Sequence, residues 1–170
     1  MTTGQKIATG VGVAAGAGLL IWGVPKIIAL KNKSDAAGKL SLNFETASIY
    51  DANPTRIKIK VKFSAKNPSD QNLGYENLYI KLSIADSSGT FLKLADTIPD
   101  KTRTEIPALQ TINTSQMAEV RLLDIIRIGG GIAKYFIKRL NGAKATRDAK
   151  VEYTYTSEGF NLSDSKIIKL

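Results

Sequence analysis

The chain of 170 residues contains no cysteine and no histidine. Together these absences exclude disulfides, thiolate nucleophiles, Cys/His zinc sites and every triad that depends on an imidazole. The redox compartment stays open, because cysteine-free chains occur both in reducing interiors and among exported proteins. Aromatic residues are only 7 % of the chain and include a single tryptophan. They are scattered, without the interleaving of rings and cations that stacks nucleic-acid bases. Acidic residues are also in short supply, 15 against 24 Lys and Arg. Of the formal net charge of +9, two units come from Lys6 and Lys26 and the rest lies from Lys31 onward. Such an excess favours anionic partners, lipid headgroups or nucleic acid, without choosing between them.

Charge is wholly missing from residues 7–25, between Lys6 and Lys26. As a helix this stretch spans roughly 28 Å, close to the hydrocarbon thickness of a bilayer. Residues 1–6 are too weakly charged and the run too long for a usual signal peptide, so an uncleaved single-pass anchor over residues 1–30 is expected. Ala8, Gly12 and Gly16 form a small-residue ridge at i, i+4, i+8, suited to close packing with another helix, either another copy or another membrane or capsid protein. Trp22 lies where an indole sits at the headgroup level, and Pro25 is expected to end the straight helix. A glycine-alanine helix of this length also fits the interior of another protein, and the sequence leaves both settings open. Lys26, Lys31, Lys33 and Lys39 crowd the C-terminal flank, which predicts a domain on the cytoplasmic side of a cellular membrane or the interior side of a virion membrane. Residues 31–39 read as a basic polar linker.

From residue 40 to 170 the hydrophobic period becomes two. Leu40, Leu42 and Phe44 alternate with Ser41, Asn43 and Glu45. Over residues 56–63, Ile57, Ile59, Val61 and Phe63 face a core, while Arg56, Lys58, Lys60 and Lys62 face away as a row of cations about 6.7 Å apart. That row is either a solvated face guarded against edge pairing or a contact for an anionic lipid or nucleic-acid surface. Asn67-Pro68 ends the strand. Residues 75–85 form the next strand, with Leu78, Ile80, Leu82 and Ile84 inward and Asn77, Tyr79, Lys81 and Ser83 outward. Asp86 to Gly89 turn the chain toward a partner over 91–95, residues 98–107 read as an edge loop, and 111–122 as a further strand. Residues 123–140 switch to a helix or helix pair interrupted at Gly129-Gly130-Gly131, in which Ile125, Ile126, Tyr135, Phe136 and Leu140 can share a face. GGGIAK lacks the phosphate-loop spacing, so a bend is expected there. Lys134, Lys138, Arg139, Lys144, Arg147 and Lys150 make this a second basic region. Strands over 150–156 and 165–170 close a mainly β unit: a small antiparallel β-sandwich with one helical insert near its C-terminal end.

Four passages, VKFSAKNPSD, YENLYIKLSIADSSGTFL, EIPALQTINTSQMAEVRL and KVEYTYTSEGFNL, resemble the LEA14-like (late embryogenesis abundant, group 2) or WHy-domain family. The resemblance covers residues 40–170. It implies a small β-sandwich without cofactor or catalytic residues, associated with water stress, often exported or tethered to a membrane. The residues themselves offer no paired acid and base: Asp51, Asp86, Asp96, Asp100, Asp124 and Asp148 are scattered over turns and edges. The expected function is a non-enzymatic, membrane-anchored structural module of a larger assembly, such as a membrane-containing phage virion. A stress-protective envelope protein and an anionic-lipid or nucleic-acid binder are the alternatives.

Overall fold

The computed structural model describes residues 24–53 and 55–170, with side chains from residue 31 onward. Ala8, Gly12, Gly16 and Trp22 lie outside the described residues. Among the described residues no helix is long and apolar enough to cross a membrane.

The first element corrects one expectation. Helix α1 is described over Val24–Lys39, so residues 31–39 are helical where a linker was expected. The segment that Pro25 was expected to end lies outside the described residues. The alanines explain the helix: Ala36 and Ala37 are buried, and two good helix formers with small side chains let the backbone sit close on the sheet.

Eight strands follow: β1 (Ser41–Ala52), β2 (Arg56–Lys66), β3 (Leu73–Ala85), β4 (Phe91–Asp96), β5 (Thr104–Ile106), β6 (Thr111–Arg121), and, after helices α2 (Leu122–Ile128) and α3 (Gly130–Leu140), β7 (Asp148–Ser157) and β8 (Phe160–Lys169). All pairings are antiparallel, in the order β1-β2-β6-β4-β3-β7-β8, with β5 on β3. The two expected layers therefore belong to one curled sheet. They join through a single residue pair, Asp96 opposite Glu119, between β4 and β6. The 98–107 segment, expected as a loop, contributes β5 and a bridge between Leu78 and Asp100.

The alternation read in β2 and β3 fills the space between the layers. Ile57, Ile59, Val61, Phe63, Leu78, Ile80, Leu82 and Ile84 are all buried. Ser83, expected outward, is buried too. Rings bridge the layers: Phe44 of β1 lies 4.9 Å from Phe63 and 4.5 Å from Tyr153 of β7, centroid to centroid. Where β1 and β8 approach each other, tyrosines of β7 close the gap. The Tyr153 hydroxyl donates to the Leu42 carbonyl (3.0 Å) and that of Tyr155 to the Leu40 carbonyl (2.9 Å). Burial raises the pKa of both phenols, because the charged form loses its solvation.

Two polar locks hold the end at which β1 begins. Asn67 is fully buried. Its amide donates to the carbonyls of Gln71 (2.7 Å), Ile106 (3.0 Å) and Pro107 (3.2 Å), and its Oδ1 accepts from the Ser69 N–H and hydroxyl. The Asn-Pro and Ile-Pro-Ala passages, distant in sequence, are thus stitched by one side chain. In the second lock Arg103 pairs with both Glu105 and Glu158. Its guanidinium lies across Gly74, where a Cβ would stand 2.7 Å from Cζ. Burial pushes the Glu158 carboxyl up, but Arg103 outweighs it and holds the pKa below the usual value. Glu158 and Gly159, at φ +50° and +85°, make the tight β7–β8 turn.

The opposite end is capped by α2 and α3. Ile125, Ile132, Tyr135 and Phe136 are buried there, and the Tyr135 hydroxyl donates to the Leu170 carbonyl (2.5 Å). Ile126 and Leu140, expected on the same face, are 56 % and 44 % exposed. Gly129 parts the helices at φ +141°, ψ +152°, backbone that in practice only glycine adopts, whereas Gly130 and Gly131 are helical. The helical insert is therefore a pair broken at one glycine.

Candidate functional site

The cationic row is a property of β2, which runs between β1 and β6 in unbroken register with β6. With Ile57, Ile59, Val61 and Phe63 committed to the core, the pleat sends Arg56, Lys58, Lys60 and Lys62 to the outer face. Arg56 donates to Glu119 across the strands (3.3 Å), a half-exposed pair contributing about 1 kcal/mol or less. Lys60 Nζ stands 5.5 Å from the ring centre of Tyr50 on β1, a cation–π contact that orients its ammonium. Lys58 lies opposite Asp51 and Glu119, and Lys62 opposite Thr46 and Ser115. Among the described residues Lys58, Lys60 and Lys62 make no ion pair within 4.0 Å.

The strand is longer than its pattern suggested, and Lys66, exposed opposite Ser41 and Thr111, extends the row. Reading alternation past Phe63 through Ser64, Ala65 and Lys66 would have found it. Five cations then stretch over roughly 33 Å at ~3.3 Å per residue. The chemistry on offer is electrostatic attraction and hydrogen-bond donation to oxyanions.

Apart from Asp51, which stands opposite Lys58 in the β1–β2 register, the scattered aspartates have local partners. Asp86 accepts from Ser88 and Thr90 within its own turn, Asp100 from Thr102, and Asp148 pairs with Lys169. A cleft of about 710 Å³ at the junction of β4, β6 and α2 does bring carboxylates together. Asp96 and Glu119, the register pair, line it with Asp124, Tyr79, Lys93 and Arg127. Glu119 was not among the acids singled out by sequence, and no local pattern ties it to Asp96. Each carboxylate there has a cation: Asp96 has Lys93 (2.6 Å), Glu119 has Arg56, and Asp124 has Arg121 (3.8 Å) and Arg127 (3.6 Å). The Tyr79 hydroxyl donates to Asp96 (3.1 Å), and desolvation together with that carboxylate raises the phenol pKa. Among the described residues no group of three or more acidic side chains is arranged to hold a metal ion.

No family model matches the chain, and no curated protein matches it. Solved structures do. A protein from Archaeoglobus fulgidus aligns over 78 % of this chain and 96 % of its own, with TM-score 0.50 and 10 % identity. That likeness shows a shared fold. Two further structures align more loosely: AT1g01470 from Arabidopsis thaliana (TM-score 0.42, 15 % identity, 76 % of this chain and 78 % of its own) and a protein titled as a putative late embryogenesis abundant protein, At2g46140.1 (TM-score 0.43, 12 % identity, 86 % of each). At such scores neither carries an assignment.

Proposed function

We propose that this protein is a non-enzymatic interaction module of a larger membrane assembly, held by residues 7–25 in a bilayer and presenting the Arg56–Lys62 row to an anionic partner. The observation that supports it is α1. From Val24, inside the uncharged stretch, the described helix runs without interruption to Lys39, where Ala36 and Ala37 seat it on the sheet. A helix docked on the domain at the exit from such a stretch is the connection that a structural component needs. Leu109, 73 % exposed with φ +58°, stands beside α1 at the same pole.

Alkaline carbonate extraction of membranes carrying the full chain tests the anchor. The parent chain stays with the lipid, Gly12→Asp is released, and Gly16→Leu still inserts but loses any helix partner. Release of the parent as a soluble species ends this reading. A protective envelope protein of LEA14 type is the second reading, favoured by the Asn67 lock that joins two of the passages carrying that resemblance. Unchanged survival of desiccation and osmotic shock after deletion would reject it.

A further inference from the structure

The helix pair carries a feature that neither the core nor the β2 row uses. Residues 121–147 contain seven Lys and Arg and a single acid, Asp124, which is occupied by Arg121 and Arg127. Because Ile125, Ile132, Tyr135 and Phe136 turn inward, the outer face of α2 presents Leu123, Ile126 and Arg127, and that of α3 presents Lys134, Ile137 and Lys138. The spacing is i, i+3, i+4 in both helices, so each exposes aliphatic side chain and cation side by side. Leu123, Ile126 and Ile137 are 66 %, 56 % and 56 % exposed. Ile98 and Ile167 are exposed elsewhere, at 89 % and 56 %, but without the paired cations of the two helix faces; each aliphatic side chain left in water forgoes about 1 kcal/mol or more of burial.

We infer that this pole docks on an anionic lipid bilayer surface. Charge complementarity supplies the attraction: Lys134 and Lys138, which make no ion pair within 4.0 Å among the described residues, meet headgroup phosphates and carboxylates, while the aliphatic chains enter the headgroup–acyl boundary. A nucleic-acid backbone would satisfy the lysines but would give the isoleucines nothing to bury against. The pole also lies at the far end of the sheet from α1. Strand β2 alone separates the ends by about 33 Å at ~3.3 Å per residue. With residues 7–25 in one membrane, an inference resting on the anchoring reading above, the pole reaches a second, apposed surface.

The test uses the full chain reconstituted into neutral phosphatidylcholine vesicles with the domain outward, mixed with labelled protein-free acceptor vesicles. Acceptors containing phosphatidylserine are expected to associate at low salt and dissociate at high salt, and pure phosphatidylcholine acceptors to stay free. Neutralising Lys134→Ala and Lys138→Ala weakens association roughly fivefold per lysine. Ile126→Ser with Ile137→Ser weakens it at unchanged charge. Lys101→Glu, an exposed cation outside both the pole and the β2 row, leaves it intact. All these side chains are solvent-facing, and near-ultraviolet circular dichroism verifies that each variant is folded. Association insensitive to the pole variants, abolished by the Lys101 variant, or replaced by binding to duplex DNA alone overturns the inference. If the chain fails to insert into donor vesicles, anchoring fails, and the pole is still read by co-sedimentation of the same chain with anionic against neutral vesicles.

Discussion

Replacing Asn67 dismantles five hydrogen bonds with one change. In Asn67→Ala the Ile106 carbonyl and the Ser69 N–H lose this partner at a position the solvent does not reach, while the Pro107 carbonyl keeps the Gln110 N–H and the Ser69 hydroxyl can turn to the Gln71 carbonyl. A net hydrogen bond contributes about 1 kcal/mol, and a buried polar group left without a partner costs about 1–3 kcal/mol. With two groups left without a partner and water reaching one of them as the 67–71 loop loosens, the expected loss is about 2–4 kcal/mol, a drop of roughly 4–16 °C in Tm for a domain of this size. Asn67→Asp sharpens the reasoning. It retains the acceptor for Ser69 but turns a carboxylate oxygen toward three carbonyls, so the folded state favours the protonated acid and its pKa rises above the unfolded value of about 3.9. The sign follows from linkage: the variant's stability is best retained below about pH 3.9 and is lost as pH rises through the raised pKa. Thermal unfolding of the full chain, followed by near-ultraviolet circular dichroism at acid and neutral pH, reads both effects. An Asn67→Ala variant within ~1 kcal/mol of the parent, or an Asp variant whose deficit does not grow from acid to neutral pH, would refute the lock.

Three further outcomes are expected. Tyr75, Tyr135, Tyr153 and Tyr155 all have phenol pKa values raised by burial, so the folded state holds their protons more tightly than the unfolded one; stability is intact below about pH 10 and falls above it. Absorbance at the phenolate band should therefore show their ionisation only together with loss of near-ultraviolet dichroism, and a separate, earlier ionisation of these residues would contradict the packing. Of the three glycines between the helices, Gly129→Ala should destabilise by about 1–3 kcal/mol, while Gly130→Ala, helical and open around its Cβ, should stabilise by up to ~1 kcal/mol; equal effects in denaturant titration would count against the assigned break. Gly74→Ala should displace the Arg103 guanidinium, the end of a flexible side chain, at a cost of no more than about 1 kcal/mol, which Arg103→Ala removes in a double-mutant cycle; strict additivity would deny that they touch.

The strands were legible because their burial is periodic. Ile57 to Phe63 and Leu78 to Ile84 announced both the strand and its inner face, and the outer cations of β2 came with them. Ser83 escaped because what covers the outer face of a strand is a tertiary matter. The pole helices are legible as a unit, but the pattern groups Ile126 and Leu140 on one face with Ile125, Tyr135 and Phe136, because the break at Gly129 that reorients the second helix is not visible in the spacing. The expected linker was misread for a related reason. SDAAGK is polar and short, and only the sheet end against which Ala36 and Ala37 pack turns it into helix. The junction of Asp96 with Glu119 left no trace in either local pattern, because it is a product of how the sheet curls.

The tyrosine closure at the start of β1 has a mechanical consequence. Any load arriving through α1 enters the domain at Leu40, at the end where the β1–β2 ladder begins with Ser41 opposite Lys66. Pulled there, an antiparallel pair would part like a zipper, one rung at a time, the weakest way to tear a sheet. The carbonyls of Leu40 and Leu42 are the ones fastened by Tyr155 and Tyr153, and the Leu40 side chain is fully buried beneath them. The first teeth of the zipper are riveted from a second strand, so force must break the rivets before it reaches the rungs.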